Sequence, residues 1–249
     1  MYTYLKYLII FWGLLTSADA KTIRFSNLWW EVKEGMSAPG PNQWSSHGVW
    51  LDDNGWLHLK IFKQDDKWYC PGIITKKNFS FGKYWFILSG EIDKLDPNVV
   101  LGLFNYDYAN LNADGTNEID IEFSKWGSSS YLDHNVSYTV WPAILAANNT
   151  SLIYTIDLAG KDSLHGFTWE NNKIVFQSGY GNKNDYRQPI MNWVYNPPDF
   201  SKRIPQRPLS VHIYLSLVKG MPPTNHKEVE IVIKQFCYLS LDKSTSNCE

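Results

Sequence analysis

The sequence is poor in cysteine: Cys70, Cys237 and Cys248 are the only three in 249 residues. That is too few for a disulfide-held scaffold, although an exported chain can form one bridge and leave one thiol over. Charge of either sign is also scarce. With 23 basic and 25 acidic residues the formal net charge is −2, which supplies no electrostatic footprint for nucleic acid or an anionic lipid surface. No apolar run reaches the ~20 residues of a membrane-spanning helix. Beyond Lys21 there is no apolar stripe of helical period, no internal repeat and no low-complexity tract. No clustered acidic loop calls for calcium, and nothing calls for a redox or nucleotide cofactor, so neither metal nor cofactor is expected.

What is present begins with a processing signal. Lys6 is followed by the apolar run from Leu8 to Leu15 and then by small and polar residues ending in Ala18-Asp19-Ala20. That order is a secretory signal peptide cleaved after Ala20. The remainder, residues 21–249, suits one all-β domain, a class that often runs to roughly 200–250 residues. The expectation is a secreted protein, extracellular or periplasmic, monomeric and free of the membrane after cleavage. Asn78-Phe79-Ser80, Asn135-Val136-Ser137, Asn148-Asn149-Thr150 and Asn149-Thr150-Ser151 are glycosylation sequons.

Short segments with a period of two, each ending in Gly, Pro, Asn or Asp, fill the rest. The clearest are 56–62, 83–89, 98–104, 118–124, 135–141, 151–158, 173–177, 209–217 and 228–238, with turns at Asp52-Asp53-Asn54-Gly55, Asn112-Ala113-Asp114-Gly115 and Asn171-Asn172. This is the pattern of an antiparallel sandwich or barrel. Leu209, Val211, Ile213, Leu215 and Leu217 alternate with Ser210, His212, Tyr214 and Ser216, as in a sheet with one buried face. Val99-Val100-Leu101 reads as buried on both faces. The Pro-rich stretch from Asn196 to Pro208 reads as a long surface loop.

In Asn117-Glu118-Ile119-Asp120-Ile121-Glu122-Phe123-Ser124 acids alternate with large apolar residues, so a strand puts Glu118, Asp120 and Glu122 on one face and anchors the other in the core. Three acids in a row repel one another, which is a cost without a structural return. Retaining glycoside hydrolysis needs two carboxyl groups roughly 5–5.5 Å apart. The Cα atoms of residues i and i+4 on a flat strand are about 13 Å apart, so this chemistry requires a strand that curves around a concave cleft. The 12 Trp within a 16% aromatic fraction fit the same reading, because flat C–H faces of sugars stack on indoles. Trp126, Trp141 and Trp193 are the candidates for substrate binding. His134, His212 and Tyr214 are left out, since isolated polar rings on a strand face are more often merely solvated.

At this motif the chain resembles glycoside hydrolase family 16, whose shorter signature reads E-I-D-I-E-F. Further similarity lies in Trp68-Tyr69-Cys70-Pro71-Gly72, Thr75-Lys76-Lys77, Phe81-Gly82-Lys83-Tyr84, the stretch 95–104, His165-Gly166-Phe167-Thr168-Trp169, Val211-His212-Ile213-Tyr214-Leu215, Met221-Pro222-Pro223 and the segment 228–238, spanning roughly residues 45–240. The resemblance implies a concanavalin-like β-jelly roll of two antiparallel sheets, with the catalytic strand on the concave face. It implies Glu118 as nucleophile, Glu122 as acid/base and Asp120 as the residue assisting the nucleophile. Gly72 stands where relatives carry an acidic residue that contacts substrate, and Thr116 replaces a Trp two places before the first Glu.

The resulting expectation is a retaining endo-glycosidase acting on a β-linked polysaccharide of β-1,3- or mixed-linkage glucan type. A lectin-like carbohydrate-binding protein on the same sandwich and a cell-wall transglycosylase stand as alternatives. On the processing signal the outcome is checkable directly: the secreted protein is expected to start near Lys21 on N-terminal sequencing, and recovery of Met1 would refute cleavage.

Overall fold

The computed structural model describes residues 21–107, 117–128, 134–142, 150–160, 162–181 and 189–241. The signal segment, the turn at Asn112–Gly115, Thr116 and Cys248 lie outside these residues. In chain order the strands are β1 (Thr22–Phe25), β2 (Leu28–Val32), β3 (Gly35–Ser37), β4 (Asn42–Trp44), β5 (Val49–Leu51), β6 (Leu57–Gln64), β7 (Lys67–Tyr69), β8 (Gly72–Thr75) and β9 (Gly82–Ser89). They continue with β10 (Val99–Tyr106), β11 (Glu118–Phe123), β12 (Val136–Trp141), β13 (Ser151–Tyr154), β14 (Ser163–Trp169), β15 (Ile174–Tyr180), β16 (Pro189–Tyr195), β17 (Ser210–Leu217) and β18 (Val229–Ser240).

The strands form two large antiparallel sheets, a jelly-roll sandwich. The first runs β1-β2-β8-β17-β10-β11-β12-β13 and the second β16-β15-β14-β9-β18-β6-β5. Period-two alternation explains how they close on each other. Trp30 and Val32 on β2, Leu101 and Leu103 on β10, Ile119, Ile121 and Phe123 on β11, and Val211, Ile213 and Leu215 on β17 all turn inward and are buried. They meet Leu59 and Ile61, Tyr84, Phe86 and Leu88, Phe167 and Trp169, and Ile231 and Ile233 from the second sheet in one hydrophobic cluster. Each such side chain contributes about 1.5–3 kcal/mol on burial. Three of the tryptophans belong wholly to this core. Trp30, Trp44 and Trp169 are fully buried, and each indole N–H donates to a backbone carbonyl, of Phe25, Ser37 and Pro205 respectively.

Val99, Val100 and Leu101 are buried, as their sequence suggests. Two other readings change. The alternate face of β17 is not solvated: His212, Tyr214 and Ser216 are buried, because Phe104 of the neighbouring strand stacks on His212 with ring centroids 4.8 Å apart and meets Tyr214 edge-on at 5.0 Å. The stretch Asn196–Pro208 is a strap rather than a free loop. It carries a single helical turn, α1 (Phe200–Arg203), and buries Ile204 and Pro205 at the sandwich edge, where the Trp169 indole holds the Pro205 carbonyl.

Strands β1 and β2, absent from the sequence reading, are joined by a two-residue link without glycine, Ser26-Asn27. Both take left-handed φ values, 49° and 62°, the mirror-image turn that matches strand twist. Asp65 and Asp66 do the same between β6 and β7, with φ of 47° and 60°.

Because Ile121 is fully buried at the centre of β11, Ile121→Ala is expected to cost about 3–4 kcal/mol, read as a lower denaturation midpoint at unchanged slope. A loss under about 1 kcal/mol would mean that β11 is not pinned by its apolar face.

Candidate active site

Strand β11 presents Glu118, Asp120 and Glu122 on the outer, concave face of the first sheet, since its other three residues are committed to the core. Cross-strand register fixes their neighbours. On the β12 side Glu118 faces Trp141, Asp120 faces Thr139 and Glu122 faces Ser137. On the β10 side the same residues face Tyr106, Phe104 and Gly102. A Cβ built on Gly102 would come within 3.2–3.3 Å of the Phe104 ring, and the missing side chain leaves open floor beside Glu122.

The three acids differ in exposure. Glu118 and Glu122 keep part of their surface open to the cleft, whereas Asp120 is only 4% exposed. One Asp120 oxygen, Oδ2, accepts a hydrogen bond from the Trp141 indole at 2.9 Å. Its other oxygen, Oδ1, is buried without a hydrogen-bond partner among the described residues.

All three carboxyl groups are held above the usual carboxylate range. Burial pushes Glu118 up to about 8, with the charge of Glu122 adding to the rise and neighbouring Asp120 opposing it. Glu122 goes to about 7, again through burial, with the Ser137 hydroxyl opposing. Asp120 is driven well above its ordinary value by burial and then by the charges of Glu118 and Glu122; the Trp141 N–H is the opposing influence. Burial bears most heavily on Asp120, and its side-chain interaction with Glu118 raises its own value while lowering that of Glu118. Protons leave the three as a set.

Two hollows meet at this row. The larger, about 810 Å³, lies over β12 and β13 and is lined by all three acids together with Trp126, His134, Ser137, Thr139, Trp141 and Ile153. The smaller, about 440 Å³, lies over β10 and β17 and is lined by Glu118, Glu122, Trp126, Gly102, Phe104, Tyr106, Tyr214 and Ser216. Glu118, Glu122 and Trp126 border both, so the acids stand in the middle of a continuous groove running across the strands.

Trp126 and Trp141 both line this groove, in different ways. Trp126 is 55% exposed and sits on a backbone of φ 51°, its amide donating to Ser124 Oγ at 2.9 Å, while Gly127 N donates to Pro97 O at 2.7 Å. The turn thus holds a large bare ring at the junction of the hollows. Trp141 lines the larger hollow with its ring while its N–H is occupied by Asp120.

Trp193 is elsewhere, which corrects its reading as a residue of this cleft. It lies on β16 in the second sheet, stacked on Phe176 at 5.4 Å and near Tyr195 at 5.7 Å. The apolar neighbours of β15 draw it into packing.

Sequence reasoning left out His134, Tyr106, Phe104 and Tyr214, which line the groove. The missing signal is register: the pairing of β8 with β17, of β17 with β10 and of β10 with β11 places Tyr214, Phe104 and Tyr106 beside the acids, and His134 enters on the segment leading into β12. Gly72 is explained by the same pairing. A Cβ there would lie 2.8 Å from Tyr214 Cδ1 and 3.1 Å from Trp44 Cζ3, so two rings fill the space that an acidic side chain would need.

No protein-family model matches the sequence, and no curated protein matches it. Solved structures do resemble the fold. The Bacillus licheniformis β-glucanase matches with a TM-score of 0.63 and 16% identity over 90% of this chain and 99% of its own. The laminarinase from Flavobacterium sp. UMI-01 matches with a TM-score of 0.64 and 15% identity, covering 85% and 93%. A glycoside hydrolase family 16 endo-glucanase from Bacteroides ovatus, solved in complex with G4G3G-2F-DNP, matches with a TM-score of 0.59 and 13% identity, covering 84% and 94%. At these identities the likeness establishes the fold, which this chain shares with β-glucan hydrolases.

The raised carboxyl groups carry a pH dependence of stability whose sign is fixed. A carboxyl group held above its unfolded value favours folding fully below that value, and this contribution disappears as pH rises through the folded one. For Glu118 the window runs from 4.5 to about 8. Glu118→Gln removes the buried charge, so the variant is expected to gain on wild type by about 1–2 kcal/mol, or roughly 3–6 °C in Tm, between pH 4 and pH 8.5. A difference that does not change with pH would contradict desolvation of the row.

Proposed function

We propose that this protein is a retaining endo-glycosidase that hydrolyses a β-linked polysaccharide of β-1,3- or mixed-linkage glucan type. The observation that carries the reading is the placement of three desolvated carboxyl groups at the midpoint of a groove, on a sandwich shared with glucanases and a laminarinase. Acids set between two hollows, with room for sugar units on either side, suit cleavage within a chain. A binding protein has no use for acids that raise one another's cost of ionisation.

In this mechanism the proton that the coupled row retains sits on Glu122 once sugar is bound, the reverse of the order of the two carboxyl groups on their own, about 8 for Glu118 and about 7 for Glu122. Glu118 attacks the anomeric carbon while Glu122 donates that proton to the departing glycosidic oxygen, giving a covalent glycosyl-enzyme. Glu122, now ionised, removes a proton from water as the water attacks the same carbon, and Glu118 leaves. Two displacements at one carbon retain configuration. Asp120 serves as a positioning residue: fixed by the Trp141 N–H, it favours negative charge on Glu118. Trp126 offers a stacking face where the hollows meet, and Trp141 a second one in the larger hollow.

The protein is proposed to work outside the cell, processed after Ala20. Cys237 is disulfide-bonded, which is consistent with an oxidising compartment.

The test uses the wild-type protein and Glu118→Ala on β-1,3-glucan, mixed-linkage glucan and activated aryl glycosides. Glu118→Ala is expected to lose roughly 10³-fold or more in kcat while remaining folded, and azide is expected to restore turnover of the aryl glycoside with inverted configuration. Retained activity in Glu118→Ala would remove it from the mechanism. A wild type that binds glucan but cleaves neither polymer nor aryl glycoside across pH 4–8 would leave a binding protein in its place.

A further inference from the structure

The concave face continues well past the acids. The cross-strand row that holds Glu122 passes through Gly102 on β10, Tyr214 on β17 and Gly72 on β8. Lys33 extends it by one strand, its amide donating to Gly72 O at 2.8 Å. Val32 before it is buried in the core, so alternation turns Lys33 to the same face as Tyr214, just beyond the residues that line the smaller hollow. Four strand spacings of ~4.8 Å separate the backbones of Glu122 and Lys33, about 19 Å in all.

Among the described residues the half-buried Lys33 ammonium has no counter-charge. It lies 4.8 Å from the ring centroids of both Trp44 and Tyr214 and donates to the Tyr214 hydroxyl at 3.4 Å. Among the described residues no carboxylate comes within ion-pair distance of it. Glu34, next in sequence, is taken up by the Ser46 amide at 2.8 Å. Burial draws the ammonium pKa down to about 8, the response of a cation whose hydration has been replaced only by aromatic faces and one phenol. Gly72 meets the two rings in place of an acidic side chain, so the cation is left unneutralised. A desolvated cation held this way gains most from an anion brought by a ligand.

We propose that Lys33 receives an acidic substituent, a sulfate ester or a uronate carboxylate, on a sugar unit of the polysaccharide lying in the groove. This rests on the reading of the groove as a glycan site and narrows its substrate to a β-linked polymer that carries acid groups. Charge would also set register. The row of acids disfavours an anionic unit at the point of cleavage, and with screening over ~8–10 Å that repulsion does not extend to Lys33. A negative sugar is therefore accepted at one end of the groove and refused at its centre.

The test compares neutral mixed-linkage glucan oligosaccharides with the same oligosaccharides oxidised at C6 to uronates, or partially sulfated, by tryptophan fluorescence titration at 4 °C. Wild-type protein is expected to bind at least one acidic form about tenfold more tightly than the neutral parent at low salt, with the advantage fading as salt rises. Whichever acid gives it identifies the source of the anion. Lys33→Met, which keeps the apolar stem over Trp44 and Tyr214, is expected to lose the advantage, and Lys33→Arg to keep it. Equal binding of acidic and neutral forms, an advantage that persists in Lys33→Met, or no binding of either would overturn the proposal. If the preference holds but nothing is cleaved, the hydrolase reading fails and the anion site stands; cleavage of neutral glucan without any preference gives the reverse.

Discussion

Ile119, Ile121 and Phe123 are fully buried between the sheets, and because a strand has only two faces, Glu118, Asp120 and Glu122 have nowhere to go but the concave side. A slip of one residue in β11 would drive three carboxyl groups into the hydrophobic cluster and three large apolar side chains into water. The apolar face therefore does two things at once: it holds the sandwich closed and it fixes the row of acids without any contact to them. The groove on either side follows from the same register, since the residues opposite the acids, from Gly102 to Trp141, are assigned by the pairing of β11 with β10 and β12.

That arrangement works against stability. Asp120, buried and held by one indole N–H, contributes nothing to the fold that a Thr would not supply more cheaply, and its second oxygen lacks a donor among the described residues. Local conflict of this kind, embedded in an otherwise consistent sheet, is where strain and chemistry usually coincide. The core around it is correspondingly generous, with stacked rings such as Tyr84 on Phe167 at 4.8 Å and Tyr138 on Phe176 at 4.7 Å.

The alternation in 117–124 was legible because it is local: six residues state both the face in the core and the face in the cleft. The central strands were readable for the same reason, and so was the two-sheet architecture. Two kinds of information were not local. Tryptophan reads alike in a core and on a sugar platform, so Trp193 on β16 and Trp126 at the cleft could be separated only by knowing which sheet each joins. Register between segments distant in sequence decides that Tyr214 lies over Gly72 and that Phe104 covers His212, and no single segment encodes it. The strands β1, β2 and β7 are not legible because three to five residues are too few to show a period of two, and their turns, Ser-Asn and Asp-Asp, reach left-handed backbone without glycine.

The order of strands within the second sheet bears on how such a chain comes to be folded at all. β18, the last strand among the described residues, lies between β9 and β6, so the middle of that sheet is absent until residues 229–240 have been made. Before then β6 and β9 expose unpaired edges with nothing between them, and both pairings of β18 join segments far apart in sequence, the regime in which folding is slow. A ribosome-bound or translocating chain therefore cannot close its sandwich early. Under the export proposed above, in which the chain threads a channel as an open polypeptide, that delay keeps it threadable, and the same unpaired edges make it dependent on being kept apart from its own copies until β18 inserts.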